Sequence, residues 1–584
     1  MSAKVSKHLR RQRRARKKAI RQQDRYGSPV QSQPRHSSPE SAEQPTVRAQ
    51  AVRTSAARTS TAARIAAVLA GCCLIGAAGG SAAFHLSDTQ AADPLRVPAN
   101  YVVAPPVADR LVCPPTPGTP DSLGESGIME YADRDESVQT SRDALLFASA
   151  WGVAPSAQWG TITQDGRGEQ DRFQEETTPQ SGSNSQLLAD REPTLAESQD
   201  TDLPTVLEVQ PLEGVAVDDA PAAAASFTYL AEDGPQSGLI ASSCTPPQPS
   251  RWFLGPETAS DSASLLTLTN PNSREATVTV STYSPEGSTG GLGSTTLLVP
   301  ADSVRTINMA SLTEDASAMA VHVRSSGAPV ASHLQTSRAS GSGGQGTDML
   351  PALAEPGTEH HLLAAPAGAD EPPQLWIHTP GEQAGTVELQ VFDSEGQVPI
   401  DTPGVFTVEE GAVTVVDIEG LEAGTYDVVV RTEAPSLAAV RSTDDGQPDD
   451  DAQQNDEAQD LSWSAAADAV QPGFGALLPP AGQTDMHLFG QGELTYRLLD
   501  TSGASSEDLT IEVEADRSTV ISHGQLQDQA EAAGLDDVHS IVVTESAGEI
   551  RGGTISRDDE GRYSIGDLQT ISPTAQYVPL RLQR

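Results

Sequence analysis

This 584-residue chain has 80 acidic residues and 11 histidines, but few of them stand at the spacings that carry catalytic chemistry. The sequence has no Gly-x-Ser-x-Gly elbow, no His-Glu-x-x-His pair and no glycine-rich phosphate loop between a strand and a helix. The glycines of Ser340–Gly346 lack that context and are typical of a flexible linker. We therefore predict no catalytic residue and no cofactor site.

Two groups of residues suggest metal binding but fit it poorly. His360 and His361 are adjacent, and neighbours on a strand point to opposite faces, so they cannot readily chelate one ion. The run Asp444–Asp460 has eight acids and no base, which would allow weak calcium binding. It lacks the regular spacing of a calcium loop, and like charges favour an extended, solvated segment. We predict no metal site.

Two tryptophans and two cysteines are the remaining candidates. Trp151 and Trp159 could form a platform on which a sugar stacks, or they could simply pack in a core. Cys113 and Cys244 would form a disulfide in an oxidising compartment or remain as two thiols. A bridge would close a loop of about 130 residues, which stabilises a fold by at most about 5 kcal/mol in the chain-entropy treatment.

The charge of the chain changes sign across one apolar segment. Residues 1–64 carry a net charge of +13, residues 65–84 carry none, and residues 85–584 carry −56. Twenty apolar residues span about 30 Å as a helix, which matches a bilayer core. The basic flank predicts a cytoplasmic N-terminus and an extracytoplasmic C-terminus. We expect a single-pass protein of the cell membrane, with a leader held inside and attracted to anionic lipid rather than to nucleic acid.

Two alternatives to a membrane helix remain open. Leu69–Cys72 resembles a lipobox, which would give a lipoprotein anchored at Cys72, although the apolar run continues beyond it. Cleavage by a signal peptidase after Ala83 is the other alternative. If the segment spans the membrane, Cys72 and Cys73 are small apolar residues of the helix.

Three stretches of the extracytoplasmic part repeat one pattern. Each contains strands with period-two alternation that end in a turn with glycine, such as Ala276–Gly287, Val387–Gly396 and Leu494–Gly503. A later strand in each repeat ends at Leu312, Leu421 or Leu526, which are 109 and 105 residues apart. Short strands in about 105 residues match a β-sandwich of immunoglobulin-like size, whereas propeller blades repeat every 40–50 residues.

The predicted fold is therefore mainly β, with tandem immunoglobulin-like sandwiches after one transmembrane helix. From the N-terminal side we expect a divergent β module with a disordered acidic insertion in its middle, at roughly 114–205, then three sandwiches and one acidic linker. The predicted boundaries are a disordered leader at 1–64, the helix at 65–84, the divergent module at 99–250, sandwiches at 251–345, 346–443 and 463–584, and the linker at 444–462.

The motifs Leu111–Pro115, Trp252–Gly255 and Leu268–Asn272 resemble an actinobacterial family of uncharacterised, membrane-anchored envelope proteins with repeated exported β modules. The resemblance covers about residues 95–584. It implies an accessory role in assembly of the envelope glycan, and it supplies no catalytic residues.

We expect a non-enzymatic protein with a structural role in envelope glycan assembly or binding, whose partner is the glycan or a membrane protein. The alternative is a transmembrane regulator that couples an extracytoplasmic sensor to a cytoplasmic partner. An exported hydrolase would need a pair of convergent carboxylates that sequence cannot place.

Deletion of residues 2–60 separates the scaffold from the regulator. A scaffold anchored in the membrane keeps its function when the leader is removed, because its partners lie outside. Complementation of a host lacking the protein, with insertion verified by fractionation, is the measurement. Loss of function despite normal insertion would favour the regulator.

Overall fold

In the computed structural model, the described residues lie between 101 and 579, apart from internal gaps of which the longest are 121–137, 174–186 and 445–458. The predicted leader and membrane segment lie outside the described residues. Strands make up 59% of the structure, so the mainly β prediction is confirmed. No helix in the described part of the chain is long and apolar enough to cross a membrane.

The strands fall into four repeats. The initial strand is β1 (Tyr101–Val103). Repeat 1 contains the eight strands β2 (Asp109–Cys113), β3 (Val138–Phe147), β4 (Ala157–Thr163), β5 (Gly166–Phe173), β6 (Pro193–Glu197), β7 (Thr205–Val209), β8 (Ala222–Ala231) and β9 (Gly238–Ser243). Repeat 2 contains β10 (Ser250–Leu254), β11 (Ser262–Asn270), β12 (Ala276–Ser284), β13 (Gly287–Ser288), β14 (Ser294–Val299), β15 (Ser303–Asn308), β16 (Ala320–Ser326), β17 (Ala331–Ser340) and β18 (Gly343–Leu350).

In the later repeats, long strands run through two sheets. Repeat 3 contains β19 (Gly357–Ala367), β20 (Gln374–His378), β21 (Gly385–Phe392), β22 (Gln397–Val398), β23 (Val405–Val408), β24 (Val413–Asp417), β25 (Gly424–Asp444) and β26 (Asp460–Ala465). Repeat 4 and the closing strands are β27 (Phe474–Leu477), β28 (Gln483–Leu499), β29 (Leu509–Val513), β30 (Thr519–Ile521), α1 (His523–Ala533), β31 (Ser540–Arg557), β32 (Tyr563–Asp567), β33 (Gln569–Thr570), β34 (Ser572–Pro573) and β35 (Tyr577–Pro579).

Each repeat supplies two antiparallel four-stranded sheets with one shared topology. The sheet that we call the blade has the orders β6-β3-β8-β9, β15-β11-β17-β18, β24-β20-β25-β26 and β30-β28-β31-β32. The sheet that we call the flanking sheet has the orders β2-β7-β4-β5, β10-β16-β12-β14, β19-β25-β21-β23 and β27-β31-β28-β29. Segments that occupy equivalent positions in the sequence repeats thus form equivalent strands in the structure.

The last strand of every repeat lies at a common axis. β9, β18, β26 and β32 contact one another in a closed ring, so the four blades form a propeller-like arrangement. The prediction of tandem immunoglobulin-like sandwiches is therefore wrong. The repeat is longer than that of an ordinary blade because each blade carries a flanking sheet, and the predicted boundaries at 345/346 and 462/463 fall inside β18 and β26.

Apolar side chains fill the space between the flanking sheets and the blades on either side of them. In repeat 2, Val278 and Val323 of the flanking sheet share one core with Leu266 of their own blade and with Trp376 and Leu437 of the next. The flanking sheet of repeat 4 closes the ring, since Val542 packs against Leu145 and Phe147 of the first blade. Sheets buried on both faces explain fully buried strands such as β7 and β26.

Each junction between repeats also carries a polar contact. These contacts are Gln335 Nε2 to Gln236 Oε1 at 2.7 Å, Arg441 to Glu257 at 2.8 Å, Ser518 Oγ to Asp427 Oδ2 at 2.5 Å, and Arg497 to Asp190 at 2.6 Å. The last of them joins repeat 4 to repeat 1. β34 extends the same closure, because it pairs with β8 of the first blade.

The α-helix of repeat 4 has complete caps at both ends. Ser522 and Gln525 form a reciprocal capping box, and Gly534 ends the helix at φ 77°. Leu526 and Ala530, four residues apart on one face, are buried in the core of repeat 4. The helix therefore covers the core of repeat 4 together with the strands of that repeat.

The predicted disulfide is confirmed: Cys113 at the end of β2 bonds Cys244, just after β9. The disulfide joins the flanking sheet of repeat 1 to the end of β9, the strand of this repeat that lies at the axis. It lies beside the backbone hydrogen bonds between Val112 and Thr245. Both sulfurs lie in the core of this repeat.

Replacing both cysteines by serine should lower the free energy of unfolding by about 3–5 kcal/mol, because the bridge closes a loop of 131 residues. Denaturant unfolding of the double variant and of the wild type checks this. A reductant should destabilise the wild type and leave the variant unchanged. Equal stabilities of the two proteins would contradict the structural role of the bridge.

Candidate functional site

The centre of the ring is held by buried acids and serines, which we call the hub: Asp348, Asp460, Ser462 and Ser564. Asp460 Oδ2 accepts hydrogen bonds from the backbone N–H groups of Leu239 and Tyr563, each at 3.0 Å. Asp460 Oδ1 accepts from Leu461 at 2.8 Å. One side chain of the third blade thus binds strands of the first and the fourth.

The other hub residues extend this network around the axis. Asp348 Oδ2 accepts from Ser462 Oγ at 2.9 Å and from the N–H of Trp463 at 3.0 Å. Ser462 Oγ in turn accepts from the N–H of Ile565, and Ser564 Oγ accepts from the N–H of Ala241. Backbone N–H groups on the inner edges of the ring strands are therefore satisfied by side chains of the neighbouring strand.

Burial raises the pKa of Asp348 to about 7, although three hydrogen bonds oppose the shift. Burial also raises the pKa of Asp460 well above its usual value, against its three N–H donors. The acidic run predicted a solvated loop that ends at Asp460, and this prediction is wrong for Asp460, which is 1% exposed. The preceding residues 445–458 lie outside the described part of the chain.

One end of the hub opens into a polar space that we call the axial cavity, with a volume of about 350 Å³. Residues at the C-terminal ends of all four ring strands line it. Its charged groups are Arg251, Asp348, Asp468 and Asp567, and the imidazole of His333 lies in the same wall. Burial raises the pKa of Asp567 to about 7, and nearby Asp468 adds to the shift.

A second space, which we call the interrepeat cavity, has a volume of about 560 Å³. It lies between loops of the first flanking sheet and the second blade. Hydroxyl and amide groups line it together with apolar side chains: Thr116, Thr201, Thr267, Thr306, Gln164, Gln335, Leu203, Leu265, Val304 and Met349. Asp202 and His333 are its only ionisable lining residues in the described part of the chain. Burial lowers the pKa of His333 to about 4, so this imidazole is neutral at pH 7.

The structure does not bring the predicted ligand-contact residues together on a platform. Trp159 is 2% exposed and packs in the core of repeat 1, as the packing alternative predicted. Trp151 is 60% exposed and lies in a turn in which Ser149 Oγ accepts from the N–H groups of Trp151 and Val153. Neither tryptophan lines the two cavities described above.

The two adjacent histidines considered above as metal ligands are both buried, and as neighbours on one strand they point to opposite faces. His360 and His361 lie on β19 and are 6% and 7% exposed. His322 stacks on Trp252 with ring centroids 3.8 Å apart, at the joint between repeats 2 and 3. Within the described residues, no cluster of three or more ligating side chains could hold a metal ion.

One contact between a serine and a histidine has the components of hydrolase chemistry but the wrong arrangement. Ser250 Oγ lies 2.9 Å from His322 Nε2 and 2.9 Å from Glu355 Oε1. A carboxylate only accepts, so the hydroxyl proton goes to Glu355 and not to the imidazole. In a nucleophilic triad the carboxylate instead orients the far nitrogen of the histidine. The contact therefore does not activate Ser250.

The sequence contains weak signals for the hub and the two cavities. Asp348 and Asp460 each stand directly before apolar strand residues, but the same pattern occurs at solvated strand ends. The cavities arise where separate repeats meet, so their residues are not neighbours in the sequence.

Fold and cavities together define a class: a closed, propeller-like β protein with polar spaces at its axis and between its repeats. The chain belongs to a family of unknown function (DUF5719), whose match covers residues 196–524, more than half of the chain. A comparison with curated proteins finds no match.

Replacing Asp460 by asparagine should lower the free energy of unfolding by about 1–3 kcal/mol, because either orientation of the amide turns an NH2 group toward a backbone N–H. Denaturant unfolding at pH 7 measures the loss. Asp393→Asn is the matched control: its N–H donors, Glu395 and Gly396, both bond Oδ1, which asparagine retains. Equal stabilities of the two variants would contradict the role of the hub.

Proposed function

We propose that this protein is a non-enzymatic binding scaffold of the cell envelope. Residues 65–84 anchor it in the membrane with the N-terminus in the cytoplasm, and the four repeats lie outside. It contacts an envelope glycan through the interrepeat cavity. The observation that carries this proposal is the lining of that cavity, which combines threonine hydroxyls and amides with apolar side chains in about 560 Å³.

A neutral sugar matches this lining better than a charged ligand does. Sugars present hydroxyls along their edges and C–H groups on their faces. Thr267 and Thr306, whose Oγ1 atoms are 3.2 Å apart, can exchange hydrogen bonds with the edge. Leu265 and Met349 offer contact to a face. The net charge of −56 beyond residue 84 opposes binding of anionic polymers.

The disulfide supports an extracytoplasmic location for the repeats, since such bonds persist in oxidising compartments. A membrane protein is the alternative partner. The exposed Trp151 and Val153 form a small apolar tip, of the kind that a protein partner could cover. Failure of glycan binding in the following test would direct attention to this tip.

Replacing Thr267 and Thr306 together by valine should reduce binding to host cell-wall sacculi at least tenfold, because valine keeps the volume and removes both hydroxyls from the cavity. Co-sedimentation of the full-length protein in mild detergent measures binding, before and after the accessory polysaccharide is stripped from the sacculi. Binding by the wild type should disappear on stripping.

The control for this experiment lies in the same repeat. Thr279 and Thr296 form an equivalent cross-strand pair, with Oγ1 atoms 3.2 Å apart, on an exposed surface. The Thr279→Val/Thr296→Val variant should bind like the wild type. Absence of wild-type binding to either preparation would refute the glycan proposal, and equal losses in the two variants would place the contact elsewhere.

A further inference from the structure

The axial cavity contains opposite charges that are not paired with one another. Arg251 projects from β10 of repeat 2, and Asp567 ends β32 of repeat 4. Within the described residues, neither side chain has an ion pair or a hydrogen bond. Burial lowers the pKa of the Arg251 guanidinium, so this cation has already lost part of its hydration. A partly desolvated charge without a partner is costly, and a ligand of opposite charge would offset that cost.

Buried polar atoms in the same wall also lack partners. Ser332 is 4% exposed, lines the cavity, and its Oγ has no hydrogen-bond partner in the described structure. The hydroxyl of Ser242, which lines the cavity from repeat 1, is likewise unsatisfied. Both hydroxyl oxygens are inaccessible to solvent, so the groups of this wall that can meet an occupant are the charged ones.

The charge pattern excludes simple ions as the best occupant. A divalent cation needs several oxygen ligands at one point, and no group of three ligating side chains is present in the described residues. Arg251 would also repel it. A simple anion would bind Arg251 but would face Asp348, Asp468 and Asp567 in the same space. A ligand that carries both charges satisfies both sides.

We propose that the axial cavity binds an ammonium–carboxylate zwitterion of amino-acid size. Its carboxylate would pair with the Arg251 guanidinium, which suits bidentate recognition. Its ammonium group would lie between Asp567 and Asp468. A side chain would contact the apolar part of the wall, which includes Phe474 and Leu568. The volume of about 350 Å³ admits such a molecule. The axial cavity shares His333 and Met349 with the interrepeat cavity of the proposed function, but Arg251, Asp468 and Asp567 line the axial cavity alone.

The first test is thermal unfolding of the full-length protein in detergent with each of the twenty protein amino acids at 10 mM. At least one should raise the midpoint of unfolding, and calorimetry should then give a dissociation constant. The N-acetyl and the carboxamide derivatives of that amino acid should each bind at least tenfold more weakly. No shift with any amino acid, or equal binding of the blocked derivatives, would overturn the proposal.

Two variants locate the site. Arg251→Gln and Asp567→Asn should each weaken binding at least tenfold, and Asp567→Asn should remain folded because it only removes an unpaired buried charge. The matched controls are Arg324→Gln and Asp516→Asn, at exposed positions outside the cavity. Equal affinity in the cavity variants and the controls would refute the site. Sacculus binding by the same variants should be unchanged, which separates this result from the proposed glycan contact.

Discussion

The structure depends on satisfying the inner edges of four strands that meet at one axis. An edge strand presents a row of unpaired N–H groups, and four such edges converge where water is largely excluded. The hub satisfies these groups with short acceptor side chains, each of which accepts from a backbone N–H of another repeat. Asp460 alone bonds strands of three blades, counting its own. Carboxyl oxygens suit a place lined by backbone N–H donors, and the cost of burying them there appears in the raised pKa values of Asp348 and Asp460.

Closure around the axis determines how the rest of the chain is buried. Each flanking sheet packs between its own blade and the next, and the fourth packs on the first. The repeats therefore have no exposed interface at either end of the series, unlike an open array that needs terminal caps. The polar contacts at the four junctions fix the rotation of one repeat against the next. The two cavities lie where this packing is incomplete, one at the axis and one between the first two repeats.

Strand positions could be predicted from the sequence because alternation in segments such as Val387–Phe392 depends only on local periodicity. The packing of one repeat against another could not be predicted, since the same alternation is expected in an isolated sandwich and in a propeller blade. The repeat length even favoured the wrong architecture, because the flanking sheet adds strands that an ordinary blade lacks. Cys113 and Cys244 could be matched because few cysteines offer few pairings. Asp460 was predicted to be solvated because its acidic neighbours at 445–458 dominate the composition of that segment. One buried position does not show in the composition. The cavity residues come from separate repeats, and no spacing rule connects them.

The closure of the ring has a consequence for how the chain reaches its native state. Ser572 pairs with Ala223, about 350 positions earlier, so the first blade stays incomplete until almost the entire described chain is available. Contacts of such large sequence separation slow folding, because the entropy of a long loop is lost before the contact forms. During synthesis the early repeats have open strand edges, which are prone to pair with other chains. The disulfide within repeat 1 can form in that interval, and it then holds the first blade together until its last strand arrives.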